Sequence, residues 1–125
     1  MEIAYICIYA SNLEESVLFY RDILGLEEDL VASDKSFHAL KAGVNNIGIE
    51  RNGMRKDGQK TKAENAILLQ FKANSMEELE KITKRLETKG ANIIDRLVQK
   101  SYATITNLLD PDGNKVEIIY QSTDQ

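Results

Sequence analysis

The sequence predicts an α+β fold: two tandem βαβββ modules forming a cupped mixed sheet with the helices outside. Three observations carry that prediction. A helix-opening Ser-x-x-Glu box occurs at Ser11 with Glu14 and returns at Ser75 with Glu78. A helix-stopping glycine occurs at Gly25 and returns, at nearly the same interval, at Gly90. Each half also ends in a short Gly/Asn turn before a strand with an aliphatic–Glu pair, Ile49-Glu50 and then Val116-Glu117. An internal repeat says more about architecture than any single propensity. One helix and about four strands do not cover both faces of a sheet. Two such sheets side by side are therefore expected to curve around a small-molecule cavity.

Residues 3–10, Ile-Ala-Tyr-Ile-Cys-Ile-Tyr-Ala, are β-rich and nearly all apolar, as in a strand covered on both faces. Alternation puts Ile6, Ile8 and Ala10 on an aliphatic face suited to packing under a helix. Ile3, Tyr5, Cys7 and Tyr9 lie on the other, which suits a pocket wall. A helix follows, capped by Ser11 with Glu14 or by Asn12 with Glu15. Leu13, Val17, Tyr20 and Leu24 recur at helical spacing, and Phe19 and Ile23 widen the stripe. Strands are expected at 27–32, 36–41 and 46–51. Residues 52–64 are polar, aperiodic and glycine-containing and read as a solvated linker, with a flap over a site as the alternative. The pattern then restarts. A strand is expected at 66–73, a helix with a Leu79, Ile82 and Leu86 stripe after Ser75, and strands near 92–98, 102–108 and 115–120. The division is module 1 at about 1–52, a linker at 53–64 and module 2 at about 65–125.

At 125 residues and a formal net charge of −4 the chain fits one domain, with no basic face for a nucleic-acid backbone. The single cysteine forms no internal disulfide, the N-terminus has no signal-peptide pattern, and no apolar run spans a bilayer. The expected location is cytoplasmic, with neither membrane nor nucleic acid as partner.

Two segments carry a resemblance. Residues 12–26, Asn-Leu-Glu-Glu-Ser-Val-Leu-Phe-Tyr-Arg-Asp-Ile-Leu-Gly-Leu, and 110–117, Asp-Pro-Asp-Gly-Asn-Lys-Val-Glu, resemble the first-helix and closing motifs of the vicinal oxygen chelate superfamily. That group holds glyoxalases, bleomycin-resistance proteins and extradiol dioxygenases. The resemblance implies paired βαβββ modules and, often, a homodimer. In metal-using members it implies a divalent ion held by a His on the first strand of each module and a Glu on the last. Carried over, the glutamates are Glu50 and Glu117. The first-strand histidines fall on Tyr5 and on Ala66 or Leu68, none of which supplies an imidazole, and the one histidine, His38, lies on another strand. A transition-metal site wants three or four protein ligands, usually with imidazole among them. The expectation is therefore no cofactor. If a divalent metal is present, Glu50, Glu117 and His38 are the residues to hold it.

Each candidate also has an ordinary structural role to set beside the functional one. Alternation puts Glu117 on the cavity side between Val116 and Ile118, where it serves as a catalytic base, a ligand contact or a structural carboxylate. Glu50 is nearer the linker and suits a solvated strand end. Tyr5 and Tyr9 offer aromatic surface and hydroxyls to a polar ligand. Cys7 reads as a small buried hydrophobe. His38 is a candidate base that more often is structural, and Tyr102 is a weaker pocket candidate. The Asp-Pro-Asp-Gly-Asn run reads as a tight turn, with too few acids for a calcium loop. The function expected first is metal-free binding of a small organic molecule, such as a drug or toxic compound. The alternatives are a lyase or isomerase of lactoylglutathione-lyase type and a protein-interaction domain.

Overall fold

The computed structural model describes residues 5–51, 68–100 and 103–121. Ile3, Tyr102, Ala66 and the whole 53–64 linker lie outside the described residues. The chain divides into two compact units, Met1–Ala63 and Glu64–Gln125.

The first unit runs β1 (Ile6–Ala10), α1 (Leu13–Val17), a π-helical turn (Leu18–Ile23), β2 (Glu27–Asp29), β3 (Phe37–Ala42) and β4 (Asn45–Arg51). Its sheet order is β1-β4-β3-β2, with β1 parallel to β4 and the other pairs antiparallel. The second unit repeats the plan: β5 (Leu68–Lys72), α2 (Met76–Thr88), β6 (Asn92–Gln99), β7 (Thr104–Leu109) and β8 (Lys115–Tyr120), in the order β5-β8-β7-β6. Each unit is thus a βαβββ module with a four-stranded mixed sheet, and the α+β tandem predicted from the sequence is the fold observed.

The caps follow the sequence, with one choice now made. Asn12, rather than Ser11, caps α1, its Oδ1 accepting the Glu15 N–H at 3.1 Å. Ser75 caps α2 in the same way, accepting from the Glu78 N–H at 3.0 Å. Gly25 and Gly90 stop the two helical segments at φ +93° and +78°, a region that favours glycine.

One helix differs from the prediction. Periodicity implies a single α-helix through Leu24, but the second half widens to a π turn in which the Leu24 N–H reaches the Phe19 carbonyl at 2.8 Å. In this turn two neighbouring residues, Phe19 and Tyr20, are both buried, their rings edge-to-face at 4.9 Å.

Strand alternation sorts each sheet into two faces. In the first unit Ile8, Ala10, Leu40, Ile47 and Ile49 are buried on one face together with Leu13 and Val17 of α1. In the second unit Leu69, Leu108, Val116 and Ile118 share the helix side with Leu79 and Leu86 of α2. A buried hydroxyl pair, Thr83 Oγ1 on α2 and Thr106 Oγ1 on β7, joins helix to sheet at 2.8 Å.

Candidate functional site

On the helix-free face of the first unit, register places Cys7, Gly48 and Ala39 in one row and Tyr9, Glu50 and Phe37 in the next. Tyr5 stands edge-on to Phe37, with ring centroids 5.4 Å apart. Four sequence candidates, Tyr5, Cys7, Tyr9 and Glu50, therefore share a face, as alternation requires. Phe37, which the sequence reading placed only in a strand, is their centre.

Gly48 makes room for it. A Cβ there would lie 2.5 Å from Phe37 Cε1 and 3.2 Å from Cys7 Sγ. Gly48→Ala should therefore displace the Phe37 ring and lower stability by about 1–3 kcal/mol, the usual cost of overpacking. Denaturant unfolding of Gly48→Ala, Phe37→Ala and the double variant checks this. The double variant should cost less than the sum of the two.

His38 is not on this face. Its Cα partner is Ile49, and Nδ1 donates to the Glu28 carboxylate at Oε2, 2.6 Å away, on the helix side. The same Glu28 carboxylate accepts from Arg21 Nη1 at 3.0 Å, and Arg21 also pairs with Asp22. The structure thus separates His38 from Glu50 by the thickness of the sheet. A Glu50–Glu117–His38 metal set is not brought together, because one residue of register moves a strand side chain to the other face. Among the described residues no three His, Cys, Asp or Glu side chains converge as metal ligands.

Burial alone would raise the Glu28 carboxyl, but hydrogen bonds from His38, Arg21 and Ser33 outweigh it and hold the group below the usual carboxylate range. A lowered folded-state pKa contributes stability that is complete above the unfolded value and is lost as pH falls through the folded one. Glu28→Gln should accordingly cost about 1–3 kcal/mol at neutral pH, the cost of breaking part-buried charged hydrogen bonds. The difference from the parent should shrink as both are acidified, which urea titrations at stepped pH would measure.

The second unit holds a denser polar array. Gln70, Glu117, Asn107 and Asp95 are Cα partners in a single row across β5, β8, β7 and β6. Gln70 Nε2 donates to Glu117 Oε1 at 3.0 Å, and the Lys115 ammonium lies 3.7 Å from Glu117 Oε2. Asn107 Nδ2 donates to Asp95 Oδ2 at 3.1 Å. Glu117 and Asn107 are each only 8% exposed, and Asn107 Oδ1 is buried without a hydrogen-bond partner. Buried Ile105 and Ile119 flank the row on the same face.

Two irregularities in β6 put Asp95 there. Register shifts occur between Ile93 and Asp95 and again between Asp95 and Val98. In the second, Leu97 takes φ +50°, an uncommon backbone for a non-glycine residue, and its N–H is held by Thr106 Oγ1 at 3.2 Å. Bulges of this kind re-aim side chains.

Gln70, Asn107 and Asp95 were missed in the sequence reading. The signal for the first two was present: a lone amide in each of two otherwise apolar or Thr-rich strands, and a buried polar group is the informative exception. Nothing in the sequence marks the bulges that aim Asp95. The 110–114 turn is structural as expected, because Asp110 Oδ1 accepts the Asp112 and Asn114 N–H groups at 2.9 and 2.7 Å and Oδ2 accepts Asn114 Nδ2 at 2.7 Å.

The metal set implied by the resemblance does not fit these residues. Glu117 is occupied by an amide N–H and an ammonium, both of which compete with a metal ion for its lone pairs. Leu68 carries no donor, and the Tyr5 ring is packed against Phe37.

The comparisons agree on the fold. The family described as Glyoxalase/Bleomycin resistance protein/Dioxygenase superfamily matches residues 2–118. Among solved structures, a glyoxalase/bleomycin resistance protein/dioxygenase family enzyme from Burkholderia phytofirmans PsJN is similar, with TM-score 0.84 and 21% identity, covering 98% of this chain and 100% of that one. A Vibrio cholerae integron cassette protein has TM-score 0.77 and 20% identity over 98% and 96% of the two chains. A lactoylglutathione lyase from Agrobacterium tumefaciens has TM-score 0.75 and 20% identity over 95% and 92%. At these identities the likeness is one of fold. No curated protein matches the chain. Among the described residues, no helix is long and apolar enough to cross a membrane.

Proposed function

We propose that this chain, which belongs to the glyoxalase/bleomycin resistance protein/dioxygenase superfamily, is a metal-free binding protein for a small organic molecule, a drug or toxic compound that it sequesters. The observation that carries the reading is the state of Glu117. Its carboxylate is nearly buried, bonded by Gln70 and faced by Lys115, at the position where the resemblance implies a metal-holding glutamate, and the first-strand positions that would add imidazole carry none. A carboxylate so engaged is a recognition element. It sits among apolar Ile105 and Ile119 with a few fixed polar groups, the usual composition of a ligand site. The aromatic face around Phe37 in the first unit offers a second surface on which an organic ring can stack.

A thermal-shift screen of small organic compounds in the presence of a chelator tests this. A ligand at a hundred times its Kd adds about 2.7 kcal/mol of stability and raises the melting temperature accordingly. Stabilisation that survives the chelator supports the proposal. Stabilisation that appears only when a divalent metal is added overturns it, in favour of the metal-dependent lyase or isomerase working through Glu50 and Glu117. Homodimer formation and a cytoplasmic location are part of the same proposal, and light scattering across a dilution series reads the first directly.

A further inference from the structure

We infer that the polar row of the second unit recognises an organic cation, a ligand group that presents N–H donors and positive charge, such as an amidinium, guanidinium or ammonium. This rests on the metal-free reading above and names the ligand class for that site. The argument starts from Asn107. A side-chain amide has one donating and one accepting end. The carboxylate of Asp95, 3.1 Å away, accepts a hydrogen bond and offers none, so the donating Nδ2 must face it. The opposite orientation would set two acceptors against each other. Oδ1 is thereby turned away from Asp95 and is left buried with no partner in a residue only 8% exposed. An acceptor left unmade in this way costs about 1–3 kcal/mol, which a ligand donor would recover.

What surrounds that acceptor decides the ligand's chemistry. Register sets the Glu117 carboxylate directly across from Asn107 on one side and the Asp95 carboxylate on the other. Directly paired residues place their Cβ atoms about 5 Å apart, within reach of a single planar group. The row therefore offers three acceptors in line, and one N–H of each of its amides is committed within it, Gln70 Nε2 to Glu117 and Asn107 Nδ2 to Asp95. A donor-only cation complements such a row, while a carboxylate or phosphate would be repelled. Lys115 fits the same account. Its ammonium, on a side chain 52% exposed, sits 3.7 Å from Glu117 Oε2 as an internal cation that can swing into water. An incoming cation takes its place beside Glu117 and gives Asn107 Oδ1 the donor it lacks.

Three probes of one shape and different charge test the inference: benzamidine as the cation, benzamide as the neutral analogue and benzoate as the anion. Each is titrated into the isotopically labelled full chain and followed by amide and side-chain NMR shifts, with a chelator present throughout. The expected result is a benzamidinium site that moves the Asn107 side-chain NH2 signal and the Glu117 and Asp95 amides, with affinity roughly tenfold above benzamide, the difference between charged and neutral hydrogen bonding. Benzoate should leave these signals in place. Glu117→Gln should weaken benzamidinium binding roughly tenfold. Lys115→Met should strengthen it by removing the competing cation, a gain that a merely structural role for the row does not predict. Asn107→Leu should abolish the preference for benzamidinium over benzamide, and its folded spectrum separates lost recognition from lost fold. Equal binding of benzamide or benzoate at this row overturns the cation inference and leaves metal-free binding standing. Absence of binding by all three probes, or weaker binding by Lys115→Met, overturns it too. Tight Mg or Zn binding at Glu117 in a parallel titration without chelator would overturn the metal-free reading itself.

Discussion

Leu108→Ala is expected to cost about 2–5 kcal/mol, the range for truncating a fully buried leucine. Leu108 is 0% exposed and lies on the helix side of β7, one residue from Asn107 and in the same cross-strand row as Val116. Its loss leaves a cavity under the central strands, and the surrounding Leu79, Leu86 and Val116 are themselves fully buried. At roughly 4 °C per kcal/mol for a chain of this size, the melting temperature should fall by about 8–20 °C. Calorimetric melts of parent and variant measure it directly. A fall of less than about 1 kcal/mol would mean that the core of the second unit does not lie beneath the polar row.

Thr106→Val is the second large effect, and it links the core to the site. The Thr106 hydroxyl has two partners, the Thr83 hydroxyl on α2 and the Leu97 N–H in the β6 bulge. Valine keeps the shape and removes both bonds, stranding a buried hydroxyl and a backbone donor. The expected cost is about 1–3 kcal/mol. Thr83→Val with Thr106→Val should cost less than the sum of the singles, because removing both hydroxyls leaves no orphan between them. The amide of Leu97 should exchange with solvent faster in Thr106→Val. Slower or unchanged exchange would show that the hydroxyl does not hold the bulge, and with it the placement of Asp95.

These two residues mark how far the sequence could be read. Leu108 and its neighbours were legible, since alternating apolar residues in strands and a 3.6-residue stripe in α2 report burial directly. Apolar, β-rich runs together with the repeated capping boxes, glycine stops and closing turns placed the eight strands and the helical segments found among the described residues. The face assignment of Tyr5, Cys7, Tyr9 and Glu50 followed from alternation for the same reason. Other features answer to tertiary packing. The π turn leaves no mark in the periodicity, which places Phe19 and Tyr20 on one stripe whether the turn is α or π. His38 was legible as a lone histidine, but its side of the sheet depends on the register of β3 with β4, and its partner Glu28 lies on a three-residue edge strand. Asp95 depends on two bulges in Asn-Ile-Ile-Asp-Arg-Leu-Val-Gln, a run whose alternation breaks without saying where. Gln70 needed the pairing of β5 with β8, which assigns to Glu117 a partner two residues beyond Leu68.

The claim that organises all of this is that Glu117 serves recognition in a site without a transition metal. Elemental analysis of the chain, purified without chelator or affinity-tag histidines, tests it most directly when joined to calorimetric titration with Ni, Zn, Mn and Mg. The account predicts no stoichiometric metal and no binding tighter than that of weakly held Mg. A stoichiometric metal with sub-micromolar affinity, lost in Glu117→Gln, would contradict it and make the chain a metal-dependent member of its superfamily.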